Sequence, residues 1–250
     1  MKNLPKVSAY CCTYGRPFCL EEAIYSFLKQ DYQGEKELVI LNDLGDQCLF
    51  FDHPEVKIIN SKKRIVPLNK KFNECISYCT GDYIFVWEDD DIYLPWKISY
   101  SIKNIDSNGC FHTGSAFLER KTNDLALCGN LHHSSLCMHR DNWEKIGFYD
   151  YDATDWCGVD QNIFSKIRKN FGSISKTLNP EDVFYIYRWG TSNAYHGSAT
   201  QTNISEFAKQ NVDRYFSSGR ISRGDVFLEP KWNYDFLEAR NRCISNLRGA

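Results

Sequence analysis

The chain has 250 residues, 42% hydrophobic and 25% charged, with a formal net charge of −2. That size fits one large α/β domain or a core domain with a modest extension, and the balanced charge excludes a global basic field of the nucleic-acid-binding kind. Eleven cysteines do not form a disulfide framework in this reading: Cys11, Cys12, Cys75, Cys79 and Cys137 fall inside apolar patterns, where a thiol behaves as a small hydrophobe. No secretory pattern precedes Lys2-Asn3-Leu4-Pro5, and no apolar run approaches the ~20 residues that span a bilayer. A reducing, cytoplasmic location is therefore expected.

Along the chain, Val7 to Thr13 reads as a first strand, ended by Gly15-Arg16-Pro17. A helix follows, with Leu20, Ile24, Phe27 and Leu28 on one face. Residues 38–41 form a second buried strand that stops at Asn42-Asp43-Leu44-Gly45-Asp46, and residues 56–59 a third. Phe72, Cys75, Ile76 and Cys79 mark the next helix, which leads through Gly81 into another strand. The rhythm of strand, helix, strand, strand, helix, strand is that of a mostly parallel α/β sheet. Further on, residues 110–118 and 135–139 read as strands, 141–146 and 161–169 as helices, and 183–187 as a last strand. Residues 191–203 are loop-like, and from Ile204 two helices flank a break between Gly219 and Gly224.

The run Tyr83-Ile84-Phe85-Val86-Trp87-Glu88-Asp89-Asp90-Asp91 carries the most chemical information. A buried parallel strand ends in four consecutive carboxylates, at the sheet edge where open α/β folds bind ligands. Their mutual repulsion near a low-dielectric edge is costly unless a cation lies among them. Alternation puts Glu88 and Asp90 on one side, and oxygen ligands suit Mg²⁺ or Mn²⁺, which keeps waters and binds substrate phosphates. A solvated acidic turn capping the next helix is the competing reading, and the strand directly before the cluster weighs against it.

Three segments then point to a family. Thr13-Tyr14-Gly15-Arg16, Asn42-Asp43-Leu44-Gly45 and Gly81-Asp82-Tyr83-Ile84 with Glu88-Asp89-Asp90-Asp91 and Pro95 occur in order. Over roughly residues 5 to 165 the chain resembles glycosyltransferase family 2, of the GT-A fold. The resemblance implies a GT-A domain over 1–203, with a nucleotide-binding half over about 1–95 and an acceptor half over about 96–203. A C-terminal helical extension would occupy 204–250. It implies a nucleoside-diphosphate sugar donor, UDP-sugar by default, and a hydroxyl acceptor, by default a surface glycan or lipopolysaccharide. By the resemblance Tyr14 stacks on the base, Asp43 accepts from it, and Arg16, Glu88, Asp89 and Asp91 line the donor site. Asp90 is the principal ligand of Mn²⁺ or Mg²⁺, and His196 a further ligand from a loop after the last strand.

In the same resemblance, Cys157-Gly158-Val159-Asp160-Gln161 matches the segment carrying the catalytic base. Asp160 is assigned that role, with Asp155 in reserve; a helix N-cap is the structural alternative for Asp160. Arg188 and Trp189 read as contacts to diphosphate or sugar, or as packing, while His132 and His133 read as structural. Transfer to a hydroxylated base in DNA, and nucleotidyl transfer to a sugar phosphate, are the rival functions. Nucleic acid is not an expected partner on a charge of −2.

Overall fold

The computed structural model describes residues 4–121, 124–130, 132–150, 159–188 and 204–249. The first half contains Val7–Thr13 (β1), Pro17–Leu28 (α1), Lys36–Asn42 (β2), Gln47–Phe50 (β3), Val56–Asn60 (β4), Leu68–Ser77 (α2), Tyr83–Val86 (β5), Ile92–Tyr93 (β6) and Lys97–Lys103 (α3). Then come Cys110–Thr113 (β7), Ser115–Lys121 (β8), Asp124–Gly129 (β9), a 3₁₀ turn at His133–Ser135, Cys137–His139 (β10), Arg140–Ile146 (α4), Val159–Phe171 (α5), Ser175–Lys176 (β11) and Tyr185–Tyr187 (β12). The chain closes with Ile204–Ser217 (α6), Gly224–Phe227 (β13) and Phe236–Arg248 (α7).

A seven-stranded sheet in the order β11-β7-β10-β5-β1-β2-β4 forms the centre. Its β4-β2-β1-β5 half is parallel, and β10 runs antiparallel between β5 and β7. Strand alternation sorts the core into two layers. Val7, Ala9 and Cys11 of β1 join Leu38, Ile40 and Phe85 on the face covered by Leu20, Ile24 and Phe27 of α1. Tyr10, Cys12, Val39, Leu41, Ile84 and Val86 face the other way, against Phe72, Cys75 and Ile76 of α2. Burial on both faces is why these strands read as continuous apolar runs, and each large apolar side chain contributes roughly 1.5–3 kcal/mol.

The chain leaves β1 toward β2 and β4, then returns to the opposite side as β5. That reversal makes the carboxyl ends of β1 and β5 the topological switch point, where ligands bind in open α/β sheets. Gly15 supports the sharp exit from β1: its φ is +66°, and a Cβ there would lie 2.5 Å from Cγ2 of Val212 on α6. Both conditions favour glycine. Pro17 then opens α1 in the first-turn position that tolerates the missing N–H.

Two differences from the sequence reading follow from long-range contacts. The single strand expected over 110–118 is two strands, because the chain turns at Gly114 between the central sheet and a second sheet of order β6-β12-β8-β9. A Cβ on Gly114 would stand 2.8 Å from the carbonyl oxygen of Asn130. The break between the last two helices contains β13, which pairs in parallel with β3. Neither short strand carries a local signal, since its partner lies more than a hundred residues away. The C-terminal segment packs on the body: Phe236, Ala239, Cys243 and Ile244 of α7 enter the α1-side core, and Val212 and Tyr215 of α6 cluster with Leu44, Tyr14 and Phe18.

Candidate active site

The acidic run emerges from β5 beside the Tyr14–Arg16 turn, and charge pairing begins there. The Arg16 guanidinium spans two carboxylates. Its Nε donates to Asp89 at 3.2 Å, Nη2 donates to the other Asp89 oxygen, and Nη1 donates to Asp90 Oδ2 at 2.6 Å. Asp89 lies wholly inside, and burial pushes its carboxyl up to about 6 despite the Arg16 cation. Asp91 is pushed up to about 8 by burial and by Asp90. Its Oδ2 accepts from the Tyr185 hydroxyl at 2.5 Å and from Ser134 Oγ at 3.3 Å, and its Oδ1 accepts the Arg188 N–H at 3.1 Å.

Lys97 ties this run to the 3₁₀ turn across the site. Its Nζ donates to the carbonyls of Val86 at 2.7 Å and Ser134 at 2.8 Å, and it lies over the rings of Tyr93 and Trp87. Burial lowers its pKa well below the usual lysine value. Arg188 is buried too. It donates from Nη1 to Glu22 and from Nε to the Asp90 carbonyl, both at 2.6 Å, so it braces the acidic loop from behind.

These groups surround a cavity of about 290 Å³, at the lower end of small-molecule sites. Tyr14, Arg16, Arg64, Lys71, Glu88, Asp90 and Asp91 line one part of it, and His132, His133, Ser134, Asp160, Tyr185 and Tyr187 another. Glu88, Asp90 and Asp91 all line the cavity while Asp89 is fully buried; the strand ends at Val86, so strand alternation does not sort these carboxylates. Asp43 lies beneath the cavity rather than in its wall. Lys71 Nζ and Arg64 Nη1 each donate to its Oδ1 at 2.6 Å, and the Ile65 N–H donates to its Oδ2 at 2.8 Å. The Arg64 guanidinium covers the Tyr14 ring, 3.6 Å from its centroid.

Two histidines read as structural from sequence have different surroundings. His132 packs between Tyr185 and Tyr187, and burial lowers its pKa to about 4. His133 places Nδ1 3.0 Å from Glu88 Oε1 and 3.7 Å from Asp160 Oδ1. Burial alone would lower its pKa, but Asp160 and then Glu88 raise it above the ordinary histidine value. Apart from its residue type and its place just before β10, nothing in the sequence marks His133. Asn73 holds both the N–H and the carbonyl of Tyr149, at 3.0 and 2.8 Å. Asp155, Trp189 and His196 lie outside the described residues.

Residues 8–143 match the sequence profile of the family described as Glycosyl transferase family 2. The chain belongs to glycosyltransferase family 2. A relative from Haemophilus influenzae, named an uncharacterized glycosyltransferase, is 28% identical over 164 residues, covering 60% of this chain and 50% of its own. The chain spans about half the length of the curated relatives it matches. Among solved structures, Staphylococcus aureus TarS 1-349 in complex with UDP-GlcNAc aligns over 97% of this chain and 71% of its own, with a TM-score of 0.58 at 12% identity. The mannosyltransferase PcManGT of Pyrobaculum calidifontis, in complex with GDP-Man and Mn²⁺, aligns over 88% and 65%, with a TM-score of 0.53 at 13% identity. At these identities the structural likeness establishes the fold, which is GT-A. Within this family 2 domain, the described residues include no helix long and apolar enough to cross a membrane.

Proposed function

We propose that the chain is a divalent-metal-dependent, inverting glycosyltransferase that moves a sugar from a nucleoside-diphosphate sugar to a hydroxyl acceptor. The observation that carries this reading is one cavity at the sheet's switch point, lined by Glu88, Asp90 and Asp91 from one side and Asp160 from the other. Residues up to about 95 supply the donor side and those beyond it most of the acceptor side. UDP is the default nucleotide; TarS was solved with a UDP-sugar and PcManGT with a GDP-sugar. A surface glycan or lipopolysaccharide is the default acceptor, and free thiols throughout the described cysteines fit a reducing, cytoplasmic setting.

The donor set fits a hard cation. Mg²⁺ and Mn²⁺ bind through one or two carboxylates and take their other ligands from water and substrate phosphate, which cavity-facing Asp90 and Glu88 allow. Among the described residues there is no cluster of three or more His, Cys, Asp or Glu arranged to hold a metal by itself. Asp90 would hold the ion, with His196 as a further ligand; when bound, the ion supplies Lewis-acid neutralisation of the departing diphosphate. Asp160 accepts the proton of the acceptor hydroxyl as that oxygen attacks the anomeric carbon, from the face opposite the leaving group. Tyr14 and Arg64 form the platform beside the base. Asp43 acts on the base through Lys71 and Arg64, whose cationic groups it orients at the cavity wall.

The test is thermal stabilisation by UDP and by GDP, with Mn²⁺ and with EDTA. Ligand at a hundredfold its dissociation constant stabilises by about 2.7 kcal/mol. The expected result is a clear rise in Tm with Mn²⁺, a small one in EDTA, and loss of the difference in Asp90→Asn. Equal stabilisation in both conditions rejects the metal-dependent reading, and exchange of pyrophosphate into the sugar nucleotide points to nucleotidyl transfer instead.

A further inference from the structure

Every edge of the His133 ring is committed. Nδ1 lies 3.0 Å from Oε1 of Glu88 and 3.7 Å from Oδ1 of Asp160. Nε2 is hydrogen-bonded to the Tyr149 hydroxyl, which meets the Tyr10 hydroxyl at 2.5 Å. The Phe72 ring lies beside the imidazole, with centroids 5.6 Å apart. Tyr149 is itself fixed, because Asn73 grips both of its backbone polar groups. The hydroxyl chain ends at Tyr10, whose ring packs against Phe72 and Trp143 inside the core. Among the described residues no further hydrogen bond extends it from the Tyr10 hydroxyl, so the chain orients the ring.

The two carboxylates it joins have different needs. Glu88 lies two residues past the end of β5, and its N–H donates to the Tyr93 hydroxyl at 2.8 Å. Asp160 stands in the first turn of α5 with its side chain 52% exposed. A half-exposed carboxylate samples several rotamers unless a neighbour selects one. One such neighbour is His133, whose Nδ1 is hydrogen-bonded to Glu88 and lies within ion-pair distance of Asp160.

We propose that His133 is a positioning residue that fixes Asp160 against the cavity wall and couples it to Glu88, so that the base and the donor-side carboxylate keep one register. This rests on the reading of Asp160 as the base. In transfer, the acceptor oxygen bonds to the anomeric carbon while the bond from that carbon to the phosphate oxygen breaks. The electron pair leaves on the diphosphate, and the hydroxyl proton passes to Asp160. His133 keeps its hydrogen bonds throughout and exchanges no bond of its own.

The experiment is a double-mutant cycle on His133→Gln and Asp160→Asn. Turnover is followed as donor hydrolysis over a panel of UDP- and GDP-sugars with Mn²⁺, and each variant's Tm is measured alongside. His133→Gln should lower kcat by about 10–100-fold, the usual scale for losing an orienting partner, with donor KM changed by less than about threefold. In the double variant the loss should not exceed that of Asp160→Asn, because residues acting as a unit are not additive. Tyr149→Phe keeps the ring and removes the Nε2 partner, so it should give a smaller fall in kcat at unchanged KM; it serves if His133→Gln does not fold. Nitrogen NMR of ¹⁵N-histidine protein gives a readout independent of turnover: the His133 Nδ1 resonance should move in Asp160→Asn. Wild-type turnover in Asp160→Asn overturns the base reading and this coupling with it. An inactive Asp160→Asn beside a fully active His133→Gln, multiplicative losses, or an unmoved Nδ1 resonance overturns the coupling alone.

Discussion

Around β1, β2 and β5 the carboxylates are matched by dedicated cations: Arg16 spans Asp89 and Asp90, while Lys71 and Arg64 share Asp43. Across the cavity the arrangement is different. One imidazole lies between Glu88 and Asp160, and its other nitrogen is held by a pair of neutral tyrosine hydroxyls. The first arrangement fixes a strongly charged loop in place before any ligand arrives, because removing one member leaves a buried charge unpaired. The second depends on geometry, so its loss should show in turnover before it shows in stability. The two sides are linked by Lys97, which holds one carbonyl from each.

The largest expected effect separates the sides by chemistry. Asp160→Asn should lower transfer or donor hydrolysis by roughly 10²–10⁴, the scale of general-base catalysis, while donor and metal affinity stay near wild type. Calorimetric titration with UDP and Mn²⁺ checks the affinity, and a parallel loss of binding would move Asp160 to the donor side. Next is Asp43→Asn, which leaves Lys71 buried beside a neutral amide. Breaking a buried pair from one side costs about 3–5 kcal/mol, and at roughly 2–4 °C per kcal/mol for a chain this size the melt should drop by about 10 °C. A variant that melts normally but no longer binds UDP would instead make Asp43 a direct base contact.

Lys97→Met tests the link between the sides. It strands the Val86 and Ser134 carbonyls, each worth about 1–3 kcal/mol when buried and unpaired. The expected outcome is a clear fall in Tm together with weakened turnover, whereas a Tm within about 2 °C of wild type would mean that other contacts hold the loop and the turn together.

The smallest effect is a pH profile. His133 faces Glu88 after β5, Asp160 on α5, the Tyr149 hydroxyl and Lys97 on α3, and its pKa is raised in the fold. Its stabilising contribution is complete below the unfolded value of about 6.5 and is lost as pH rises through the higher folded value, because the folded state then holds the extra proton. His112 and His132 act with the opposite sign. Burial lowers both to about 4, so stability falls as pH drops from about 6.5 toward 4, where the unfolded chain binds the protons. In melts run with EDTA, His133→Gln should flatten the alkaline decline and leave the acid side unchanged. Superimposable profiles above pH 6.5 would show that His133 is not charged in the fold.

Much of the fold was legible because its signals are local. Strands β1, β2 and β5 are buried on both faces and so read as continuous apolar runs, and α1 and α2 show helical spacing of Leu20, Ile24 and Phe27 or Phe72, Cys75 and Ile76. A parallel strand ending in four carboxylates also announces a site, since the topology delivers its end to the switch point. Sequence alone therefore determined the parallel strands β1, β2, β4 and β5, the family resemblance and the position of the acidic loop.

The partners of those carboxylates came from tertiary structure. The ion pair of Asp43 with Lys71, 28 residues later on another element, is not written in the motif that carries Asp43. Arg188 reads as a possible ligand contact until its guanidinium is found against Glu22, 166 residues away. His133 acquires meaning from Glu88, Tyr149 and Asp160, none of which is its neighbour in sequence. A motif records which charges a stretch of chain carries, and a hydrogen bond or ion pair is a distance that only the folded chain defines. That is why the acidic side of this cavity could be read from its residues and the histidine side had to be seen.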